Sequence, residues 1–355
     1  MKISKNPTFG YFPRIEDSKS ADYLQPPTIY DTEINAYKEW QHFNVFDKKT
    51  NLFLLLNFAI TDNPYNIKHG VVSRVAVAKS PKNKIFCAIE PEDIDSLKFS
   101  YLSPEIAFKG VSVTYKKNTY EVYLKMNTIP LVTHLQFQIA SQPLTSYTRP
   151  FGSGFLGWTV FPRVVVNGWV SIEGKEYDIK NCYGYHDHDW GRYYWGERVG
   201  WEWGIFAEDN RYGYTLLFDR RTDGVKGSVF EEILMLYKGK DLVTTFSNEK
   251  LEVKFFGNFQ GKKITIPGLM RLMYLESSSY VPRRITITGL VSKREKILVD
   301  FIPESVVQII VPNRNGDGQT QMNQMLGAIK ITSSIRDIEL EKTMKGYMEL
   351  VGPIS

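Results

Sequence analysis

Alternation of apolar and polar residues with a period of two recurs between turn signals along most of this sequence, while long runs at helical spacing are scarce. Alternating residues on both sides of Lys-Lys-Asn at 116–118 predict two strands joined by a tight turn. The same pattern predicts hairpins around residues 173–175, 238–240 and 292–296, where Gly, Ser or charged residues suit a turn. These signals favour an all-β chain with antiparallel strands.

Residues 31–43 offer the one modest helical spacing, with Ile34, Tyr37 and Trp40 three residues apart. The stretch is short, so a strand or a turn stays open as an alternative. Many short strands without a strand–helix–strand rhythm favour antiparallel sheets that close into barrels or pack as sandwiches. Because the chain has 355 residues, two barrels are expected rather than one.

Composition excludes several classes of protein. A hydrophobic fraction of 43% with 23% charged residues is typical of a globular protein and argues against a disordered chain. The longest apolar run, Leu52–Ile60, has nine residues, whereas a membrane-spanning helix needs about 20. The segment Met1–Pro13 lacks the apolar stretch of a signal peptide. We therefore expect no transmembrane segment and no secretion signal.

Charge and cysteine content narrow the expected partners. The net charge of +5 is spread over both halves without a basic block, so we expect no nucleic-acid partner. Cys87 and Cys182 are far apart and form no metal or disulfide motif. Both observations suit a cytoplasmic protein in a reducing compartment.

Ionisable and aromatic residues are concentrated near the middle of the chain. Six of the seven tryptophans lie between residues 158 and 203, a stretch that also contains the sequence YGYHDHDWGR at 183–192. A strand would divide this sequence into two faces. One face would carry Gly184, His186, His188 and Trp190, and the other Tyr183, Tyr185, Asp187 and Asp189.

Two less specific interpretations compete for the histidines. Buried His and Asp often only satisfy each other at a domain junction, because an unpaired buried polar group costs about 1 to 3 kcal/mol. A His-x-His pair on a strand can also point two metal ligands the same way. The cupin spacing, however, needs a Gly before the pair and a Glu after it, and here those positions hold Lys180 and Arg192 or Tyr193. We expect no metal.

A hairpin is predicted immediately downstream. If Asp209 and Asn210 form its turn, Glu202 lies opposite Leu217, and Glu202 and Asp219 become diagonal neighbours about 7 to 8 Å apart on one face. Two carboxylates in an aromatic pocket are candidates for acid and base catalysis, because burial and mutual repulsion raise the pKa of one of them. The alternative is an ordinary ion pair with a nearby arginine: Arg192, Arg220 or Arg221.

Three segments carry a family resemblance: Glu39–Phe43, the stretch from Gly157–Pro162 through Gly184–Gly191, and Gly346–Gly352. They resemble, respectively, an N-terminal Glu-Trp-aromatic segment, a central Tyr-x-Asp-His-Asn-Trp-Gly signature and a closing strand. The family is the AttH-like, lipocalin-type family that includes bacterial carotenoid hydratase and, more distantly, tocopherol cyclase and fungal decalin-forming Diels–Alderases. The central segment is the specific one.

The resemblance implies two lipocalin-like β-barrels packed against each other: residues 1–193, with 1–30 as a leading segment, and residues 194–355. It also implies a mostly apolar pocket near their junction that binds an isoprenoid or polyene. His188 and Trp190 match the family's His and Trp, and Asp219 matches the aspartate of its Tyr-x-Asp motif if a short length difference is allowed. Asp189 stands where the family has Asn, and Leu217 where it has Tyr.

The implied chemistry is protonation of an alkene without a cofactor, followed by hydration or cyclisation. Asp219 or Glu202 would supply the proton, and His188 would orient the acid or accept the closing proton. Indole faces would stabilise the cation. The catalytic candidates are Asp187, His188, Glu202 and Asp219; the substrate-binding candidates are Trp40, Tyr185, His186, Trp190, Trp201, Trp203 and Tyr214.

Two other functions stay open. A pericyclase would fold a polyene for cycloaddition and would need shape rather than a carboxylic acid. A carrier would hold an apolar ligand without chemistry. In each case the expected partner is an apolar small molecule, taken up from solution or by peripheral contact with a membrane.

Overall fold

The computed structural model describes residues 22–354 apart from 101, 211, 224–227, 262, 267–279, 293, 313–317 and 336–337, and without the side chains of 147, 148 and 338. Its regular structure is β-strand with three single-turn 3-10 segments, Ile34–Ala36, Ile94–Ser96 and Asn248–Lys250. The all-β prediction is confirmed. Within the described chain, no helix is long and apolar enough to cross a membrane.

Twelve strands form the first sheet, in the order β4-β3-β2-β1-β12-β11-β9-β8-β7-β6-β5, with β10 paired to β11. The strands are β1 (Tyr37–Asp47), β2 (Leu52–Thr61), β3 (Val71–Lys79), β4 (Ile85–Asp93), β5 (Lys98–Phe99), β6 (Ile106–Phe108), β7 (Val111–Lys116), β8 (Thr119–Lys125), β9 (Leu131–Ile139), β10 (Leu144–Phe151), β11 (Gly154–Ile172) and β12 (Lys175–Arg192).

Ten strands form the second sheet, in the order β16-β15-β14-β13-β22-β21-β20-β19-β17, with β18 parallel to β20. The strands are β13 (Gly200–Ala207), β14 (Tyr214–Thr222), β15 (Val229–Lys238), β16 (Asp241–Ser247), β17 (Leu251–Asn258), β18 (Lys263–Ile266), β19 (Pro282–Ser292), β20 (Glu295–Pro312), β21 (Gln319–Ile335) and β22 (Ile338–Pro353).

The four predicted hairpins are present as β7–β8, β11–β12, β15–β16 and β19–β20. In two of them both central turn residues have positive φ: 49° and 63° at Lys117 and Asn118, and 53° and 76° at Glu173 and Gly174. Two left-handed residues in a row are the geometry of the type I′ turn, whose twist matches that of the flanking strands.

The helical interpretation of residues 31–43 is wrong. A single 3-10 turn at Ile34–Ala36 is followed by β1, which starts at Tyr37. This strand pairs on both edges, with β2 and with β12. Hydrogen bonding on both edges and burial on both faces override a weak helical spacing.

Each sheet curls around its own apolar core. In the first sheet, Phe86 on β4 and Ile106 on β6 belong to the same buried cluster as Phe43, although they lie near opposite ends of the strand order. In the second sheet, Phe246 on β16 and Leu251 on β17 meet in one cluster in the same way. Curling of this kind confirms two lipocalin-like barrels.

A third core lies between the barrels and joins their outer faces. It explains the apolar run in β2, where Leu54 and Leu56 enter the first barrel while Phe53 and Leu55 enter the junction. The chain passes from one sheet to the other between Arg192 and Gly200. The division into domains at 193/194 stays a prediction.

Candidate active site

The junction between the barrels holds a small cavity with an unusual set of ionisable groups. Four carboxyl groups, one guanidinium, one imidazole and four indoles face it from both sheets. The lining residues are Trp40, His42, Leu156, Trp158, Asp187, Asp189, Trp201, Trp203, Asp219, Arg221 and Glu349.

Strand register sets the arrangement of these groups. In the first sheet Asp189 lies between Trp40 on β1 and Trp158 on β11. In the second sheet Trp203 lies between Asp219 on β14 and Glu349 on β22. One barrel thus presents an acid flanked by indoles, and the other an indole flanked by acids.

Aromatic contacts connect the two halves of the site. Trp40 stacks on Trp201 with ring centroids 6.1 Å apart and planes inclined by 20°. Trp203 lies 4.8 Å from Tyr185 and 5.7 Å from His42. These rings exclude water from the carboxyl groups, which strengthens every electrostatic interaction among them.

Asp187 is held by two donors through the same oxygen. The Tyr185 hydroxyl donates to Asp187 Oδ2 at 2.6 Å, and Trp158 Nε1 donates to it at 3.4 Å. Its other oxygen, Oδ1, has no hydrogen-bond partner among the residues described. Asp187 is therefore an oriented hydrogen-bond acceptor with one oxygen turned to the cavity.

Asp189 favours its neutral form. Burial raises the pKa of Asp189 well above its usual range, and Asp187 raises it further as a like charge and as a hydrogen-bond acceptor, while Arg221 acts in the opposite direction. Two neighbouring carboxyl groups that share a proton are a known way to keep one acid protonated near neutral pH. The pair is suited to deliver and recover a proton.

Two further acids come from the second barrel. Burial raises the pKa of Asp219 to about 6, although the Arg221 charge lowers it; Arg221 Nε is 3.7 Å from Asp219 Oδ2. Burial also raises the pKa of Glu349 to about 7, against a hydrogen bond of 2.6 Å from Trp201 Nε1 and another from Gln324. The ion-pair alternative for Asp219 is thus present, with Arg221 as its partner.

The histidines of β12 lie on the opposite face, inside the first barrel. His188 Nε2 is 2.7 Å from Glu39 Oε1, and His186 contacts the His42 carbonyl at 3.0 Å and Asp22 Oδ2 at 3.4 Å. Trp190 lies beside His188, at 5.1 Å between ring centroids. The histidines are thus paired with Glu39 and Asp22 inside the first barrel, on the other side of the sheet from Asp187 and Asp189.

Protonation of the inner cluster follows from burial and pairing. Burial alone would lower the pKa of His188, but the hydrogen bond and charge of Glu39 outweigh it and raise that pKa. Burial raises the pKa of Glu39, against the same contact with His188. Among the described residues, no group of three or more His, Cys, Asp or Glu is placed to hold a metal ion.

Glu202 does not join Asp219, and the predicted register is wrong. The connection from β13 to β14 is a six-residue loop, 208–213, in place of a two-residue turn, so Glu202 lies opposite Arg220 and Asp219 opposite Trp203. The register differs from the predicted one by an odd number of residues, which moves Glu202 to the other face of the sheet. There it pairs with Arg220 at 2.7 Å.

The other candidates divide between the two faces. Trp40, Tyr185, Asp187, Trp201, Trp203 and Asp219 meet at the junction. Tyr214 lies in the core of the second barrel, where the Lys238 ammonium is 5.6 Å from its ring.

Sequence reasoning missed four residues of the site, His42, Leu156, Trp158 and Glu349, and named Arg221 only as a possible ion-pair partner. It placed Asp189 on the correct strand without giving it a role. For Glu349 a signal existed, because it is the only charged residue of the apolar stretch Gly346–Gly352. Arg221 and His42 lie two residues from Asp219 and Trp40, on the same strands, so alternation also placed them on the faces of those candidates.

The cavity volume is about 40 Å³, and one water molecule occupies about 30 Å³ in the liquid. A depression of about 490 Å³ at the β8–β9 turn is larger but open to solvent, and Lys125 is the only ionisable residue among those that line it in the described chain. The ionisable groups therefore favour the junction cavity as the active site. A ligand larger than this cavity can enter only if the aromatic side chains move apart.

The fold and this junction define a two-barrel, lipocalin-like protein. Solved structures of that class resemble it over almost the whole chain. The AttH protein of Nitrosomonas europaea has a TM-score of 0.63 at 13% identity, covering 93% of this chain and 97% of its own. Kievitone hydratase of Nectria haematococca has a TM-score of 0.58 at 11% identity, covering 92% and 94%.

A third structure, CghA, has a TM-score of 0.55 at 10% identity and covers 94% of this chain and 95% of its own. The resemblance expected from the sequence is thus confirmed for the fold. No protein-family model matches the chain, and no curated protein matches it significantly.

Proposed function

We propose that the protein is a cofactor-independent enzyme that protonates an alkene of an isoprenoid or polyene at the barrel junction and forms a hydrated or cyclised product. One observation carries the proposal: buried carboxyl groups with raised pKa values share a cavity with four indole rings. Acids that hold a proton near neutral pH can protonate carbon, and indole faces can stabilise the cation that results.

The proposed reaction starts at the Asp187–Asp189 pair. Asp189 transfers its proton to one alkene carbon, and the cation forms on the other carbon, between the rings of Trp40 and Trp158. Water then adds to the cation and releases a proton to Asp187. Proton transfer from Asp187 to Asp189 restores the starting state, so the net reaction is the addition of one water molecule. Asp219 is the second candidate for the acid.

Cyclisation differs only in the group that captures the cation. An internal double bond or hydroxyl group takes the place of water, and Asp187 again receives the released proton. The fold shared with kievitone hydratase, a protein named for hydration, supports an enzyme over a carrier. A cytoplasmic location and uptake of the substrate at a membrane surface belong to the proposal.

Deuterium incorporation tests the proposal. We expect isoprenoids with trisubstituted alkenes, incubated with the protein in D2O, to give products that carry one deuterium on carbon, and hydration products to gain the mass of water. Asp189→Asn should abolish both signals. A product of unchanged mass without deuterium would establish the pericyclase instead, and recovery of unchanged ligand from a tight complex would establish the carrier.

A further inference from the structure

Several polar atoms at the junction cavity are buried without partners. Trp203 Nε1 and Arg221 Nη1 donate no hydrogen bond within the described structure, and Asp187 Oδ1 accepts none there from an N–H or hydroxyl group; all three residues line the cavity. An unsatisfied buried polar atom costs about 1 to 3 kcal/mol. Such atoms around one small cavity mark a polar site whose partners are a water molecule or the oxygen atom of a bound ligand that displaces it.

Two other indole N–H groups of the site do have acceptors. Trp201 Nε1 donates to Glu349 at 2.6 Å, and Trp158 Nε1 donates to Asp187 at 3.4 Å. Trp201 and Trp203 lie on the same face of the same strand, yet the N–H of Trp203 has no acceptor in the described chain. Among these three indoles, only that of Trp203 lacks an acceptor within the described structure.

Charge decides which kind of acceptor fits. Arg221 is the only guanidinium lining the cavity among the described residues, and it already faces Asp219 at 3.7 Å. Asp219 and Glu349 have pKa values of about 6 and 7 and are ionised at pH 8, so an anionic ligand would meet repulsion at that pH. A neutral oxygen can accept from the indole N–H and the guanidinium without that cost, and a hydroxyl group can also donate to Asp187 Oδ1.

We infer that the substrate carries a neutral oxygen function, a carbonyl or a hydroxyl group, which binds between Trp203, Arg221 and Asp187. The substrate class is therefore an oxygenated isoprenoid or polyene rather than a hydrocarbon. The alkene part of this assignment rests on the proposed function, while the oxygen part rests on the unpaired polar atoms. The oxygen also fixes the position of the chain relative to Asp189.

Binding of four compounds with the same fifteen-carbon skeleton tests the inference by titration calorimetry. Farnesene is the hydrocarbon, farnesol the alcohol, farnesal the aldehyde and farnesoic acid the anion at pH 8. We expect the alcohol and aldehyde to bind at least about tenfold more tightly than the hydrocarbon, because each gains one or two hydrogen bonds. The anion should bind more weakly than the aldehyde.

A matched pair of variants locates the contact. Trp203→Phe should weaken aldehyde binding about 3- to 10-fold and leave farnesene binding unchanged, since it removes one donor. Trp201→Phe, the control on the same face, should leave the ratio of aldehyde to hydrocarbon affinity as in the parent.

Three results would overturn the inference: farnesene binding as tightly as farnesal, no binding by any of the four compounds, or an affinity ratio that both variants change equally. The outcome is separate from that of the proposed function, because binding ratios require no turnover. If no deuterium were incorporated but the affinity ratios were as expected, only the proposed reaction would be rejected.

Discussion

His188 and Asp189 are consecutive residues of β12, yet their side chains lie on opposite sides of the sheet. His188 contacts Glu39 inside the first barrel, whereas Asp189 faces the junction between Trp40 and Trp158. One strand therefore serves two separate polar clusters. Substitutions at adjacent positions are expected to have different consequences.

The acids of the junction are expected to control turnover. Asp189→Asn and Asp219→Asn should each lower kcat by about 10²- to 10⁴-fold, the range for a lost acid or base, because the amide keeps the shape but supplies no proton. Ligand affinity should change little. Steady-state kinetics on a substrate that shows deuterium incorporation measures both. Near-full activity in the two variants, alone and combined, would exclude proton transfer.

Glu202→Gln is the control for these variants. Its carboxylate pairs with Arg220 at 2.7 Å on the other face of β13, away from the cavity. We expect kcat within about threefold of the parent, because the loss of one partly buried ion pair affects stability rather than chemistry. A hundredfold loss of kcat in folded Glu202→Gln would show that Glu202 takes part in the reaction.

Stability should fall as the pH rises through the range where Glu349 titrates. Burial raises the pKa of Glu349 to about 7 from 4.5, so the folded protein retains a proton that the unfolded chain releases at lower pH. This contribution, about 3 kcal/mol, is complete below pH 4.5 and is lost as the pH approaches 7 and above. Urea denaturation at pH 5 and pH 8 measures it.

The variant Glu349→Gln cannot titrate at this position. Its free energy of unfolding should therefore decrease less between pH 5 and pH 8 than that of the parent. The comparison cancels the groups common to both proteins, Asp219 included. Equal pH dependence in the two proteins would show that Glu349 has an ordinary pKa.

The inner cluster is expected to act on stability. His188→Ala removes the charged partner of the buried Glu39 and leaves it only the hydrogen bonds from Gln25 and Tyr37, which should lower the free energy of unfolding by about 3 to 5 kcal/mol. The double variant Glu39→Gln with His188→Ala should recover part of the loss, because no charge remains at position 39. Denaturation curves of the parent, the two single variants and the double variant give the coupling energy between Glu39 and His188. A hundredfold loss of kcat in folded His188→Ala would place His188 in the reaction after all.

No metal is expected at His186 and His188. The ring of His186 is engaged by the His42 carbonyl and Asp22, and that of His188 by Glu39. Elemental analysis of protein purified without chelator should give less than about 0.1 equivalent of zinc or iron, well short of the full equivalent of a structural site. About one equivalent, removed together with activity by a chelator, would contradict this.

The faces of β12 were predictable because the period of a strand is two and Tyr183–Trp190 lies entirely within one strand. The register between β13 and β14 was not predictable, because Asp209-Asn210 is as compatible with a longer loop as with a two-residue turn. A register shift by an odd number of residues places Glu202 and Asp219 on opposite faces of the sheet. Local sequence fixes alternation within a strand, while register depends on loop geometry.

Glu349 shows a second limit of the sequence. It reaches the cavity only because β22 pairs with β13, which brings Glu349 opposite Trp203 across 146 positions of chain. Alternation cannot indicate such a partner. The family resemblance pointed to the closing strand but assigned no role to its acid.

Asp187 and Asp189 belong to one barrel, and Asp219 and Glu349 to the other. Apart, each pair would be exposed to water, and the pKa values of Asp189, Asp219 and Glu349 would fall, since burial is the largest cause of their elevation. The raised pKa values thus depend on the contact between the two barrels and are not expected in either barrel alone. Any change that loosens the contact between the barrels, such as a distant packing defect, is expected to abolish the proposed reaction even though every side chain assigned to it is intact.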